Sequence, residues 1–410
     1  MKIWIINHYA IPPSLGGLVR HYYFSKFLQE KGHEVKIFTS SKIHNTDVNM
    51  ITDKTAYIEK DMDGVEYTFV RSSDYKGNGI DRIINMLQFP VRIWSVCKKF
   101  EKPDVIYTSS PDLFTAISAV LLAKWLKVRK VVEVRDLWPE SIVEYSGFSR
   151  KNPIIQILYQ MERWLYKNAD ELIFTMAGGK KYIKDKGWTR GINPKKIHHV
   201  NNGVDLEEFE YNREHFQIQD EDLENEDVFK VVYAGSIRNA NNVETLVKAV
   251  EELNEPDKCC LLLYGDGTDK ESLEQYCREK NLKNIKFKGK IEKKYIPYIL
   301  SKSDLNIINY KQTDLWRYGG SQNKLFEYLA SGKPICSNVQ MGYSLIEEYH
   351  CGIEKDIQDT KEYADLLRRF IEMSEEEYKS YFEKSYHVAQ MHDFKALTNK
   401  LEKILKNTER

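Results

Sequence analysis

The chain has 410 residues, is 42% hydrophobic and carries a formal net charge of zero, which is enough apolar material for two or three packed domains and excludes a disordered chain. The zero hides an asymmetry: residues 1–200 hold 31 Lys+Arg against 21 Asp+Glu, and residues 201–410 hold 30 against 40, so the halves stand at +10 and −10. A basic half suits an anionic surface or ligand, but the basic residues are dispersed with no reading helix or stacking platform, so nucleic-acid binding is not expected.

The chain opens with a short apolar run at residues 3–7, a loop holding Pro12, Pro13, Gly16 and Gly17, a helical pattern over 18–31 closed by Gly32, and a strand at 35–39. This is the strand–loop–helix–strand opening of a parallel sheet. Strands are expected at 104–108, 130–134, 171–175 and 198–200, with helices such as 113–126 and 153–167 between them. The longest apolar stretch, 113–123, stops at Lys124 and is too short to span a bilayer. A polar, acidic segment at 211–227 reads as a connector. A second alternation follows: strands at 229–233, 259–264, 285–287, 305–308 and 334–337, helices at 242–253, 270–280, 296–301 and 322–330, then mostly helix from about Tyr363. The fold class is therefore α/β, with two doubly wound parallel-sheet domains.

The six cysteines, Cys97, Cys259, Cys260, Cys277, Cys336 and Cys351, show no C-x-x-C spacing and sit mostly in apolar surroundings. Free buried thiols in a reducing compartment fit this better than a disulfide scaffold or a zinc site, and no metal is expected. The first residues run straight into a strand with no signal peptide pattern. The expected location is the cytoplasm, with peripheral attachment to the inner face of the cell membrane.

In open α/β sheets, ligands bind beyond the carboxyl ends of the strands. Three such places stand out. Gly16-Gly17 lets backbone approach a ligand ahead of a helix N-terminus, although glycine also occurs in such turns for steric reasons. Tyr264-Gly265-Asp266-Gly267 is a compact turn after an apolar strand, equally readable as a plain tight turn. Gly319-Gly320-Ser321 precedes a helix, with Ser321 in a capping position, Lys324 in the first turn and Glu327 one turn on. A cation in the first helical turn opposes the helix dipole unless an anion is bound nearby, so this segment suits a diphosphate; a simple Lys–Glu surface pair is the other reading. Arg135, Asp136 and Glu140 follow the strand at 130–134. Asp136 is placed to orient an acceptor or take its proton, and an Arg135–Asp136 ion pair at a strand end is the plainer alternative. His8 and His21 flank the glycine loop and read as structural.

These pieces resemble the retaining family-4 glycosyltransferases of the GT-B fold, in which two Rossmann-like domains face a central cleft. Tyr233-Ala-Gly-Ser236, Tyr264-Gly-Asp-Gly267, Phe287-Lys-Gly-Lys290, Ser303-Asp-Leu305 and Lys324-Leu-Phe-Glu-Tyr-Leu-Ala-Ser-Gly-Lys-Pro-Ile335 occur in the order of that family's donor-binding half. Asn201-Asn-Gly-Val-Asp-Leu-Glu-Glu-Phe209 resembles its interdomain motif, and Arg135-Asp-Leu-Trp-Pro-Glu-Ser141 resembles a subgroup that builds bacterial cell-surface polysaccharides such as O-antigen and capsule. The resemblance implies an acceptor domain at 1–205, a donor domain at 206–380 and a C-terminal helix, 381–410, packing back on the first domain.

It also implies roles. The family's Arg and Lys after the Tyr-x-Gly strand fall on Ser236 and Asn241 here, so the nearby Arg238 is expected to join Lys324 in neutralising the diphosphate of a nucleotide-sugar donor, with Asp136 a catalytic candidate on the acceptor side beside Arg135 and Glu140. Gly16, Gly17, Gly235, Gly265, Gly289, Lys290, Ile291, Gly320, Ser321, Leu325 and Glu327 complete the donor contacts. Glu327 matches the second Glu of the family's Glu-seven-residues-Glu pattern, which holds the donor ribose; the first falls on Gly319, so a sugar contact is missing. That points toward an N-acetylated or deoxy hexose; uracil is the expected base because it is common among the donors of such enzymes. The implied chemistry needs no metal or cofactor: the leaving phosphate oxygen helps deprotonate the acceptor, which is a lipid-linked or polysaccharide glycan at the inner leaflet. The missing carboxylate leaves a non-catalytic or partner-dependent subunit as the alternative. Residues 80–102 combine Ile83, Ile84, Leu87, Phe89, Val91, Ile93, Trp94 and Phe100 with Arg82, Arg92, Lys98, Lys99 and Lys102, a pattern that fits either an anionic membrane interface or a core helix with a solvated face.

Overall fold

The computed structural model describes residues 1–77, 79–357 and 359–407. Two compact units divide the chain: Met1–Asn201 together with the segment from Phe394 onward, and Asn202–Asp393. Both are Rossmann-like α/β domains.

The first unit runs β1 (Lys2–Ile6), α1 (Arg20–Glu30), β2 (Glu34–Ser40), β3 (Tyr57–Met62), β4 (Val65–Val70), α2 (Ile80–Cys97), β5 (Val105–Ser109), α3 (Leu113–Leu126), β6 (Arg129–Val134), α4 (Glu140–Ser146), α5 (Pro153–Asn168), β7 (Glu171–Phe174), α6 (Gly179–Asp185) and β8 (Ile197–His199). The sheet order is β3-β4-β2-β1-β5-β6-β7-β8. Only β3 is antiparallel, joined to β4 by the two-residue turn Asp63-Gly64 with both φ angles positive. An Asp-Gly pair between strands is a strong hairpin signal, yet the sequence reading has no strand here, because β3 lies at the sheet edge with no fully buried residue and an exposed run Glu59-Lys60-Asp61 at its centre. Successive residues of β1 serve opposite layers. Ile3 and Ile5 join the core under α1, while Trp4 and Ile6 join the one under α2 and α3. Burial on both faces is why such strands read as continuous apolar runs.

The second unit runs α7 (Leu206–His215), α8 (Glu221–Glu224), β9 (Phe229–Ala234), α9 (Val243–Leu253), β10 (Cys259–Tyr264), α10 (Lys270–Glu279), β11 (Ile285–Gly289), α11 (Ile296–Lys302), β12 (Leu305–Ile308), α12 (Asn323–Ser331), β13 (Ile335–Ser337), α13 (Leu345–Glu348), β14 (Gly352–Glu354), α14 (Thr360–Ile371) and α15 (Glu375–Met391). Its six strands are parallel, in the order β11-β10-β9-β12-β13-β14. The chain progresses outward from β9 in one direction and from β12 in the other, so the switch point lies between them, and the equivalent point of the first unit lies between β1 and β5.

Two boundaries differ from the sequence reading. The segment read as a connector, 211–227, contains α8 and the end of α7. The C-terminal segment expected as one helix, 381–410, holds the end of one helix and a second: α15 packs on α12 within the second unit, and α16 (Phe394–Lys406) returns to the first, where Phe394 stacks on Tyr23 with ring centroids 4.7 Å apart. The break falls at Asp393, whose carboxylate accepts the Leu206 N–H at 3.1 Å.

Candidate active site

At the switch point of the second unit, the turns after β9 and β10 are sewn together by backbone. Gly235 N–H donates to the Tyr264 carbonyl (2.9 Å), Ile237 N–H to that of Asp266 (3.0 Å) and Gly265 N–H to that of Gly289 (2.8 Å). A β-carbon on Gly265 would lie 1.8 Å from the Gly235 oxygen, and one on Gly267 would lie 2.1 Å from that of Ile237. Glycine is therefore required here by backbone approaching backbone, and the Gly265 N–H is already satisfied by protein. Gly289 closes this ladder at a register shift, opposite Tyr264. Lys290 beyond it is exposed, and Ile291 packs half-buried on the core around Leu325 and Phe326. Arg238 stands exposed at the start of the short 3-10 turn Asn239–Asn241.

Helix α12 begins beside these turns. Its N-cap is Gln322, with no side-chain capping bond. Ser321, the expected cap, instead accepts the Asn202 N–H on its hydroxyl (2.9 Å) and the Asn202 amide on its carbonyl (2.6 Å). Gly320 leaves space for the Gln322 amide and the Met341 sulfur, which would lie 2.4 and 2.6 Å from an added β-carbon. Gly319 has φ 88° and ψ 171°, a backbone region that is essentially glycine's alone. The position where the family pattern has a carboxylate is thus shaped so that a side chain would strain it.

Lys324, in the first turn of α12, is the candidate cation of this site. Its Nζ is buried and makes no hydrogen bond among the described residues. It lies 4.0 Å from the Tyr233 ring centroid and 5.5 Å from that of Tyr310. A β-carbon on Gly235 would come within 2.4 Å of it, so Gly235 makes room for the ammonium. Burial lowers its pKa from 10.5 to about 7, against the opposing pull of Glu327. A desolvated cation without a hydrogen-bond partner, at the positive end of a helix, is disfavoured twice; a bound anion relieves both. Glu327 is not isolated, because Lys293 pairs with its carboxylate at 3.3 Å. Leu325 is buried beneath the turn, and the Tyr328 hydroxyl accepts the Ala234 N–H (3.0 Å), fixing α12 to the end of β9.

In the first unit, the residue that organises the switch point is Glu133 on β6. It is fully buried and receives Arg20 Nε (2.8 Å), the Ser109 hydroxyl (2.9 Å) and the Tyr107 hydroxyl, with His21 Nε2 at 3.3 Å. Burial pushes its carboxyl up, but Arg20 and His21 outweigh this and hold it well below its ordinary range. Arg20 also donates to the carbonyls of Val200 and Asn201, the last residues before the second unit. Asp136 is exposed and accepts the Ser141 hydroxyl at 3.2 Å, and Arg135 is half-buried, its N–H donating to Ser110 Oγ. Glu140 is buried in an ionic cluster of Lys186, Arg150 (2.8 Å) and the Tyr159 hydroxyl (2.5 Å). Burial raises its carboxyl, and these partners together bring it below its usual value. Gly16 and Gly17 lie ahead of α1; an added β-carbon meets only Ile11 at Gly16 and nothing within 4 Å at Gly17. His8 is buried, bonded to Asn85 (2.7 Å), and burial lowers its pKa to about 4, so it is neutral and structural at neutral pH. The sequence reading quoted Tyr233 and Gln322 only as parts of segments and gave no role to either, nor to Glu133, Tyr310 or Lys293. Only Glu133 had a signal, a carboxylate inside an apolar parallel strand.

Comparison with known proteins follows this division. Residues 15–208 match the model of Glycosyltransferase Family 4, and residues 215–388 match that of Glycosyl transferases group 1. TuaH of Bacillus subtilis, a glycosyltransferase assigned to teichuronic acid biosynthesis, is 28% identical over 220 residues, 52% of this chain and 51% of that protein, so the match spans about half the relative's length. WbjE of Pseudomonas aeruginosa, assigned as a glycosyltransferase, is 20% identical over 67% of each chain. The crystal structure of Anabaena HepE in complex with UDP superposes with a TM-score of 0.70 at 13% identity, covering 99% of both chains, which is a likeness of fold. Among the described residues no helix is long and apolar enough to cross a membrane. With two domain models following one another along nearly its whole length, the chain belongs to the glycosyltransferases, as a family 4 domain followed by a group 1 domain in the GT-B architecture.

Proposed function

We propose that this protein is a retaining glycosyltransferase that moves a hexose, N-acetylated or deoxy, from a UDP-linked donor to a lipid-linked or polysaccharide acceptor in cell-surface glycan synthesis at the inner leaflet. The observation that carries the reading is Lys324: a buried, unpaired ammonium at an uncapped helix N-terminus, which a diphosphate satisfies. The exposed Arg238 is the second cation for the leaving group, and Glu327 is the ribose contact, exchanging Lys293 for sugar hydroxyls. The acceptor belongs to the first unit, where Asp136 orients it. In the transfer, the acceptor oxygen bonds to the anomeric carbon on the face from which the C–O bond to phosphate breaks. The acceptor's proton passes to the departing phosphate oxygen. Cationic contacts that strengthen as charge develops on that oxygen supply the rate. HepE's complex with UDP and TuaH's assignment to teichuronic acid biosynthesis support the donor base and the pathway class.

The test is a thermal-shift panel of UDP, GDP, dTDP and ADP and their sugars, followed by donor hydrolysis and transfer assays. Saturation at 100 times Kd stabilises the folded state by about 2.7 kcal/mol, and UDP is expected to give the largest shift. Lys324→Ala and Arg238→Ala are each expected to lose most donor turnover; near-parental activity in both overturns the reading. The competing view, a non-catalytic or partner-dependent subunit, draws on the side-chain-free Gly319. UDP binding without hydrolysis or transfer of any donor by the purified chain would favour it.

A further inference from the structure

Helix α2 is apolar on two opposite faces. Asn85, Phe89, Ile93 and Val96 line the buried one, and Phe89, Ile93 and Val96 pack into the core with Trp4 and Ile6. Ile80, Ile83, Ile84, Leu87 and Val91 follow at steps of three and four along the other, which is helical spacing for a single stripe, and each is between 44% and 72% exposed. A helix whose only role is to cover a sheet presents mostly charged or polar residues outward; this one presents mainly Ile, Leu and Val. The stripe is also not confined to α2. Helix α3 packs alongside it and leaves Trp125 57% exposed, with the Lys98 ammonium 5.5 Å from its ring.

The charges around this surface are mostly positive. Helices α2, α3 and α5, which pack side by side on one face of the sheet, contain only two carboxylates, Asp81 and Glu162. Glu162 is fully buried and receives the Tyr166 and Tyr182 hydroxyls. Against them, and against Glu101 and Asp104 in the turn after α2, stand Arg82, Arg92, Lys124, Arg163 and Lys167 on the helices, with Lys98, Lys99, Lys102 and Lys127 in the turns that follow α2 and α3. An apolar stripe in a basic surround matches an anionic lipid surface, where hydrocarbon takes the Ile and Leu side chains and headgroup phosphates take the lysines. A second copy of this chain would bring the same excess of positive charge against itself. We propose that the outer face of α2, with Trp125 and Lys98, is the surface by which this protein docks on membranes rich in acidic phospholipid. The proposal rests on the reading of a membrane-borne acceptor and adds the face and the lipid charge it requires.

The experiment is flotation of the full chain with phosphatidylcholine vesicles, with and without phosphatidylglycerol, at low and high salt. UDP-induced thermal stabilisation and sedimentation velocity are measured on the same samples. Binding is expected only with phosphatidylglycerol, weakened by salt. Lys98→Ala is expected to weaken it about fivefold, the effect of one basic residue near the surface. Leu87→Glu/Val91→Glu, at exposed positions, is expected to abolish it with unchanged UDP stabilisation. Absent vesicle binding, or equal binding by the double variant, overturns the proposal while an intact UDP response leaves the transferase reading standing. A parental dimer that the double variant dissolves, without vesicle binding, assigns the face to self-association instead.

Discussion

Replacing Lys324 by Met removes the ammonium and keeps most of the apolar stem. In the folded protein, burial sets this group's pKa at about 7 against an ordinary 10.5. At 1.36 kcal/mol per pH unit, that gap is worth about 5 kcal/mol as an upper bound. Below pH 7 the lysine is protonated in both folded and unfolded chains, so the folded state bears the whole cost; above 10.5 it is neutral in both and the cost vanishes. Between those limits, the unfolded chain binds more protons, and stability rises with pH. The cation–π contact with Tyr233 offsets roughly 1–2 kcal/mol. Lys324→Met is therefore expected to be more stable than the parent by about 3 kcal/mol near neutral pH, with the difference fading toward pH 10. Urea denaturation across that range measures it. The parent's ligand binding gives a second readout, because an anion restores the lysine's charge. Near pH 8, where roughly nine-tenths of a group with pKa 7 is neutral, UDP binding is expected to take up close to one proton beyond any on the ligand. Calorimetry in buffers of different ionisation enthalpy detects this. A variant less stable than the parent at pH 7, or UDP binding with equal proton uptake in parent and variant, would refute the reasoning.

Gly265→Ala puts a β-carbon 1.8 Å from the Gly235 oxygen and is expected to destabilise the second unit by about 3 kcal/mol or more. Gly17→Ala, with nothing within 4 Å, is expected to stay within about 0.5 kcal/mol of the parent; urea midpoints compare the two, and similar losses would contradict the packing argument. Glu133→Gln leaves Arg20 buried against a neutral amide and is expected to cost about 3–5 kcal/mol. A melting temperature equal to the parent's would show that this carboxylate does not organise the first unit.

The parallel strands were legible because burial on both faces makes them continuous apolar runs; β10, Cys259–Tyr264, is buried at every position. The hairpin of β3 and β4 was missed since its edge strand is half-solvated, although Asp63-Gly64 announced the turn. The site was legible where backbone chemistry writes itself into residue type. Gly235, Gly265 and Gly320 each stand where a β-carbon would collide, and Lys324 stands where a cation is misplaced without an anion. Partners brought by other elements left no trace along the chain. Lys293 on Glu327, Asn202 on Ser321 and Lys186 on Glu140 are pairs separated by 34, 119 and 46 positions, and no local pattern encodes them. The sequence also could not show that Gly319 adopts a conformation closed to other residues. From letters alone it reads as a missing carboxylate, whereas the backbone shows a loop built without one.

The half with the excess of acids holds the proposed anion site, and the distances explain why this is no contradiction. Many of its carboxylates already have partners: Asp220 and Asp222 hold Lys288 at 2.6 and 2.7 Å, and Glu224 holds Lys302 at 2.8 Å. Others crowd the first turn of α15, where Glu375, Glu376 and Glu377 meet the positive end of their own helix. Charges more than about 10 Å away in water are largely screened at ordinary ionic strength. A cation 4 Å from a phosphate in a partly desolvated pocket is worth about 4 kcal/mol at an effective dielectric near 20, against about 1 in water. Lys324, stripped of water and unpaired, therefore outweighs a net charge spread over the unit. The +10 of the first half works in the opposite regime. Its exposed lysines around α2 act together over a broad surface, which is the geometry that a charged bilayer, rather than a single phosphate, can answer.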